Sequence, residues 1–291
     1  MADLLTVLLK ISLVIFMAGN LLDMGLRLNP RDALRGLRNI RFVVYTLLWG
    51  FVLCPALAYV ITRLLPLAYP YAMGLILMGM TPCAPFLPMI VDKAKGDLGY
   101  TAALMLLTAV GTVVFMPMAV PLMVKGLTVS SWTIARPLLI VVLLPLAVGM
   151  AILRASAVRA SRLQPFVKKT TGVATVALLI LCMVVYGKGL LGVPGSLAVF
   201  AQVIFFSIVA TFTYGCAFGL PHEQRVVLSA GMTTRNIGAA LAPLLVTAGI
   251  DQRAIVMGVL GIPIMVIAAL LSAKWFGRPK AGCCQVDRST R

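Results

Sequence analysis

Acidic residues are scarce in this chain: 8 Asp and Glu stand against 25 Lys and Arg, giving a formal charge of +17, and there is a single histidine. The 8 acids, Asp3, Asp23, Asp32, Asp92, Asp97, Glu223, Asp251 and Asp287, all fall at the ends of apolar stretches or beyond them. With no carboxylate pair, no His-containing metal cluster and no nucleophile beside a base, the residues for hydrolytic chemistry are missing, and the chain reads as a non-enzyme without a cofactor. The six cysteines show no metal-ligand or secreted-framework spacing: Cys54, Cys83, Cys182 and Cys216 lie within apolar stretches, and Cys283 and Cys284 lie near the C-terminus, where acylation is only weakly suggested. Charged residues make up 11% of the chain, against about 25% in an average soluble domain. The basic ones sit between apolar runs and form no continuous patch, which argues against nucleic acid as a partner.

What the sequence does have is apolar surface. Hydrophobic residues account for 61% of it, and mean hydropathy is +1.05. Runs long enough to cross a bilayer, about 20 residues each, are predicted near 4–25, 40–63, 71–92, 98–124, 133–153, 170–190, 195–219, 225–248 and 253–277. The expected fold class is therefore all-α, a polytopic membrane protein of about nine crossings. Residues 1–280 are expected to form one transmembrane domain and 281–291 a cytoplasmic tail without order. The first run has almost no basic residue before it and a dense set after it, the reverse of a cleavable signal, so it is expected to remain.

Basic residues set the orientation, because cytoplasmic loops retain Lys and Arg. With alternating crossings, Arg27, Arg31, Arg35, Arg38 and Arg41, Lys93 and Lys95, the stretch Arg154 to Lys169, Arg225, and Lys274, Arg278 and Lys280 fall on one side. Isolated charges such as Arg63, Lys125, Arg136, Lys188 and Arg253 fall on the other. The expected arrangement places the N-terminus outside and the C-terminus in the cytoplasm, in the inner (plasma) membrane.

Two runs break the apolar pattern. The third reads Thr81-Pro82-Cys83-Ala84-Pro85-Phe86-Leu87-Pro88, and three prolines in one crossing remove three backbone donors. The eighth reads Ser229-Ala230-Gly231-Met232-Thr233-Thr234-Arg235-Asn236-Ile237-Gly238, placing a charge near mid-membrane. Non-helical backbone survives at that depth only against protein or a wet cavity, and paired discontinuous helices in corresponding halves of a chain mark transporter binding sites. Taken singly, each proline is as easily a structural kink, whereas a mid-span arginine demands a function or a fixed partner. Arg235 is therefore the first candidate substrate residue. Thr233, Thr234, Asn236, Thr81 and Cys83 stand beside it, and Pro82, Pro85, Pro88, Gly231 and Gly238 are the candidate crossover backbone. Thr101, Thr108 and Thr112 are read as lining the path, and His222, in an expected Pro221-His222-Glu223 loop, as a solvated residue.

Gly231-Met232 followed by polar residues and Gly238-Ala239-Ala240-Leu241-Ala242, the Thr81-Pro82 break ending in Ala94-Lys95-Gly96-Asp97, and the opening Met24-Gly25-Leu26-Arg27-Leu28 together resemble the bile acid:sodium symporter family. The likeness runs in order along nearly the whole chain. It implies inverted repeats and a core domain with two broken helices crossing at mid-membrane, near 40–124 and 195–277. It also implies a panel domain near 4–25, 133–153 and 170–190, and alternating access between the two, in the nine-helix version that starts at the family's second helix. It further implies sodium sites that this sequence has lost. The positions of the carboxylate and glutamine read Ser229 and Thr233, that of a helper glutamine reads Gly50, and the Ser-Asn pair reads Leu87 and Pro88. Of two hydroxyls on the next helix only Thr101 remains, the other being Met105. The expected function is secondary transport of a small organic anion with Arg235 in place of mobile sodium, the coupling ion, sodium or proton, being left open. The competing readings are an arsenite-permease-like carrier using Cys54 or Cys83, and a non-transport membrane protein.

Overall fold

A computed structural model describes residues 2–28, 30–123, 130–191, 197–247 and 250–277 of the chain. The tail 281–291 with Cys283 and Cys284, and Lys125, Gly249, Arg278 and Lys280, lie outside the described residues. The protein is an all-α polytopic membrane protein. Among the described residues, seven helices have the length and apolarity to cross a membrane. The stretches predicted at 71–92 and 225–248 instead form two pairs of short helices, each pair broken in its middle.

In chain order the elements are α1 (Ala2–Arg27) and α2 (Pro30–Leu37), α3 (Ile40–Leu64), and the broken pair α4 (Tyr69–Gly79) and α5 (Leu87–Lys93). Next come α6 (Leu98–Met123), α7 (Ser131–Ala155), α8 (Ala157–Leu191) and α9 (Ala198–Gly215). The second broken pair, α10 (His222–Thr233) and α11 (Ile237–Val246), precedes α12 (Gln252–Phe276).

Three differences from expectation have physical reasons. Helix α8 begins 13 residues before the predicted 170, because its basic first turns continue the helix beyond the apolar stretch that a length criterion detects. The segment read as a loop after Arg27 contains α2, whose small residues lie on α6: Ala33 is fully buried, and a Cβ on Gly36 would strike Ala103. His222 is the first residue of α10, not a loop residue, and its Nδ1 shares a 2.9 Å hydrogen bond with the Tyr214 hydroxyl.

Helices α1, α7 and α8 pack on one another as a bundle. Gly25 and Gly149 let the backbones of α1 and α7 touch, and a Cβ on Gly149 would lie 2.6 Å from the Leu22 carbonyl. Such small-residue contacts suit helices in lipid, where close packing, not water exclusion, drives association. The broken pairs are held between α3, α6, α9 and α12. In α3, Pro55 has no N–H, and the turn before it widens: the Cys54 N–H reaches back five residues to Trp49, in a π-helical segment from Trp49 to Leu53. Gly50 lies in that segment and faces the crossing point, where a Cβ would sit 3.1 Å from Pro82 Cγ.

Candidate functional site

The two breaks meet backbone to backbone. The Cys83 N–H donates to the carbonyl of Thr234 at 2.8 Å and to that of Gly231 at 3.1 Å, and the Asn236 N–H donates to the carbonyl of Thr81 at 2.9 Å. Pro82 and Arg235 thus face each other as one antiparallel bridge. They occupy its non-bonded positions, so the N–H that Pro82 lacks is not needed there. The Ala84 N–H adds a bond to the Thr234 hydroxyl at 3.3 Å. Thr81, Pro82, Cys83, Gly231, Thr234, Arg235 and Asn236, singled out from sequence, are therefore in one place. Cys83 has φ of 71°, a left-handed conformation that costs a non-glycine residue about 1–3 kcal/mol. Its two backbone bonds hold it there.

Arg235 is fully buried. Its Nη1 donates to the carbonyl of Gly79, the last residue of α4, at 3.2 Å. The guanidinium carbon lies 5.1 Å from the centre of the Phe205 ring on α9, and the Cys54 thiol on α3 sits within the field of the charge. Nε and Nη2 are buried without a hydrogen-bond partner, and among the described residues no carboxylate pairs with the guanidinium.

The hydroxyls beside Arg235 are committed to their own helices. Thr233 donates to the Ser229 carbonyl at 2.7 Å, Thr234 to that of Ala230 at 2.9 Å, and Thr81 to that of Met78 at 3.3 Å. The Asn236 Oδ1 accepts the Ala239 N–H and caps α11. Such back-bonding satisfies a hydroxyl hydrogen and leaves oxygen lone pairs as the remaining valence. Ser229 donates to the Ala210 carbonyl at 2.7 Å, and Thr101 to that of Asp97 at 2.9 Å. Leu87 is fully buried and Pro88 lies in the first turn of α5. Met105, Thr108 and Thr112 border a void of about 10 Å³ with Pro82, Cys83, Pro85 and Asn236, at the lower limit for one water.

A larger cavity of about 390 Å³ separates the α1 and α8 faces from the crossing point and α12. Arg235, Asn236, Pro85 and Lys93 border it on one side and Asn20 and Thr175 on the other, with Phe16, Phe86, Leu178 and Met265 among its apolar walls. A second hollow of about 570 Å³ shares Asn20, Pro85, Phe86, Met89 and Thr175 with it and continues toward Arg27, Asp92 and Lys168, at the basic end of the bundle. At that end Asp23, nearly buried, pairs with Arg27 and accepts a 2.8 Å hydrogen bond from Gln164 Nε2 on α8. Gly238 of α11 abuts Met17 of α1, so the second break also touches the three-helix bundle.

Asn20, Thr175 and Lys93 were not singled out from sequence, nor was Gln202, buried on α9 with Nε2 donating to the Met257 carbonyl at 2.6 Å and Oε1 unpartnered. The signal that found Arg235, a polar side chain inside an apolar run, applies equally to the amides Asn20 and Gln202.

Helices broken at their centres, crossing through backbone bonds beside a buried charge and a cavity, define a polytopic membrane transporter. The family model described as the Sodium Bile acid symporter family matches residues 14–192, more than half of the chain, and the protein belongs to that family. Among curated proteins, none matches the chain. The matched stretch contains the first break and stops short of the second, so Arg235 lies outside it.

Proposed function

We propose that this protein is a secondary carrier of a small organic anion, working by alternating access without the usual sodium sites. The observation that carries the reading is Arg235: a guanidinium buried, with no carboxylate partner among the described residues, at the point where both broken helices meet and beside a mainly apolar cavity that the residue borders. A fixed positive charge in a low-dielectric site attracts an anion far more strongly than it would in water. The half-helix α11 directs its positive end to the same place. Apolar walls suit a carboxylate with a hydrocarbon body, and Asn236, Asn20 and Thr175 offer polar atoms around it.

Sodium needs several oxygen ligands, some with negative character. At the corresponding positions Gly50 has no side chain, Leu87 and Met105 are apolar, and the Ser229 and Thr233 hydroxyls are neutral and donate to helix carbonyls. A guanidinium beside them opposes a second cation. In this reading α1, α7 and α8 are the panel and the remaining helices the core, and substrate is exposed alternately as one shifts against the other. With the basic loops in the cytoplasm and the N-terminus outside, the hollow beside Arg27 and Lys168 is the inward path.

Uptake of a panel of labelled organic anions into proteoliposomes, with sodium or potassium outside and with wild type and Arg235→Ala compared, tests the proposal. The expected result is uptake indifferent to sodium and lost in the variant. Uptake that requires sodium, or that survives removal of Arg235, refutes it.

A further inference from the structure

The three-helix bundle has a groove on another face from the cavity beside Arg235. Helix α1 gives Phe16 and Asn20 to that cavity, but Ile15, Ala18 and Leu22 to a hollow of about 600 Å³ that α7 and α8 complete with Leu144, Val148, Leu163 and Phe166. No residue of the other helices lines this hollow. Gly19 lets α1 and α8 touch at its floor, where a Cβ would strike Thr171 Oγ1, and Ala18 leaves the space beside them open. The walls face outward: Leu144 is 55% exposed and Phe166 71%. All three helices have the length and apolarity to cross a bilayer, so what meets these walls is lipid or another protein.

The charge around the groove is of one sign. Arg159, Leu163, Phe166 and Thr170 follow one another at helical spacing on one face of α8, which sets Arg159 one turn beyond the lining, beside the turn from α7 into α8. Arg162 and Lys169 flank Phe166, four residues before it and three after. All three basic residues are exposed, and among the described residues none has an ion-pair partner. The chain has no acidic residue between Asp97 and Glu223 to supply one. A soluble anion would meet the cations and leave the apolar walls uncovered. A second copy of this chain paired by two-fold symmetry through this face would bring the same basic residues together with no acid between them.

We propose that the groove holds an anionic phospholipid. One acyl chain lies along Ile15, Leu144 and Leu163, the phosphate sits on Arg159 and Arg162, and the Lys169 stem lies along the apolar edge with its ammonium reaching back toward the phosphate. Arg235 and the carrier reading play no part in this site.

The test is thermal unfolding of the purified full chain in neutral detergent, titrated with dioleoylphosphatidylglycerol, with dioleoylphosphatidylcholine as the match without net charge, or with glycerol phosphate as the head group alone. Phosphatidylglycerol should raise the midpoint saturably and the other two should not. In Arg159→Gln/Arg162→Gln/Lys169→Gln half-saturation should move up about a hundredfold, at about fivefold per charge beside an anionic head group. Arg35→Gln/Arg38→Gln/Lys95→Gln, which removes as much charge elsewhere, should leave it within about twofold. Ala18→Phe fills the groove and should abolish the rise. Equal responses to the two lipids overturn the proposal, and so does an equal loss in both triple variants. A response to glycerol phosphate alone reduces the site to a phosphate patch and overturns it too, as does a lipid-free dimer that Ala18→Phe splits, which would give the groove to a second copy. If the variants fail to fold, wild type still decides: phosphatidylglycerol carrying a photoreactive group in its acyl chain should label residues 15–22, 144–148 and 163–171, and labelling spread evenly over the outer helix faces refutes the site.

Discussion

The two broken helices are interrupted by different residues, prolines in one and an arginine in the other. Between α4 and α5 the chain loses donors: Pro82 and Pro85 have no N–H, and the carbonyls of Gly79 and Thr81 face out of the helix end. Between α10 and α11 the chain gains them, with the Asn236 N–H and the Arg235 guanidinium reaching across to those two carbonyls. In return the Cys83 and Ala84 N–H groups donate to the Gly231 and Thr234 carbonyls and to the Thr234 hydroxyl, so each break satisfies what the other leaves open. That is how unwound backbone persists at membrane depth. The fit is incomplete at Arg235 alone, where two donors remain, and an incomplete polar network is where a ligand gains most.

Removing the charge from the second break should have the largest effect. Arg235→Ala is expected to cut organic-anion uptake by about tenfold or more, since a hydrogen bond to a charged group is worth about 1.5–3 kcal/mol. Its effect on the unfolding midpoint should be smaller, because losing the Gly79 bond is offset by relief of a buried charge. A midpoint collapse with uptake per folded molecule unchanged would make Arg235 purely structural. Altering the proline break comes next. Pro82→Ala puts an N–H into the non-bonded slot of the bridge and removes the ring that packs on Gly50. The cost expected is about 1–3 kcal/mol of stability, the penalty for a buried unsatisfied donor, read as a lower unfolding midpoint. No change would mean that the new donor finds a partner and the asymmetry between the breaks is dispensable.

Asn236→Ala is a smaller perturbation. It removes the Oδ1 that caps the Ala239 N–H while keeping the backbone bond from the Asn236 N–H to Thr81, so about 1 kcal/mol of stability is expected to go. If uptake falls far more than stability, Asn236 meets the substrate with its amide nitrogen as well as capping the helix.

Much of this was legible from sequence, because a bilayer reduces the choice to helices and makes any polar interruption costly. Three prolines in one run and an arginine in another located the crossing point to within a few residues. What stayed hidden depends on distance through space. The pairing of Thr81 with Asn236, the stacking of Arg235 on Phe205, and the α1 and α8 side of the cavity join residues far apart in the chain, and no periodicity encodes them. Helix α2 and the early start of α8 were missed for another reason: both are helical stretches rich in charged residues, so an apolar-length criterion passes over them. The hydroxyls of Thr233 and Thr234 were legible as polar, but their commitment to the preceding turn follows from helix geometry at the break.

Cys83 gives the smallest expected effect and the sharpest separation of backbone from side chain. Its thiol is buried, its φ is 71°, and its N–H carries the two bonds that close the crossing. Cys83→Gly keeps the N–H and adopts that backbone without strain. The larger backbone entropy of glycine in the unfolded chain and the lost contacts of the buried Cβ and thiol both work against the gain, and the net change should stay within about 1 kcal/mol. Uptake should be retained. Cys83→Val, β-branched at a positive φ, should destabilise the protein by more. Uptake that is lost in Cys83→Gly while the protein remains folded would assign the work to the thiol. That result would move the substrate from organic anions toward thiol-reactive solutes such as arsenite, and the proline break, not the charged one, would then hold the substrate.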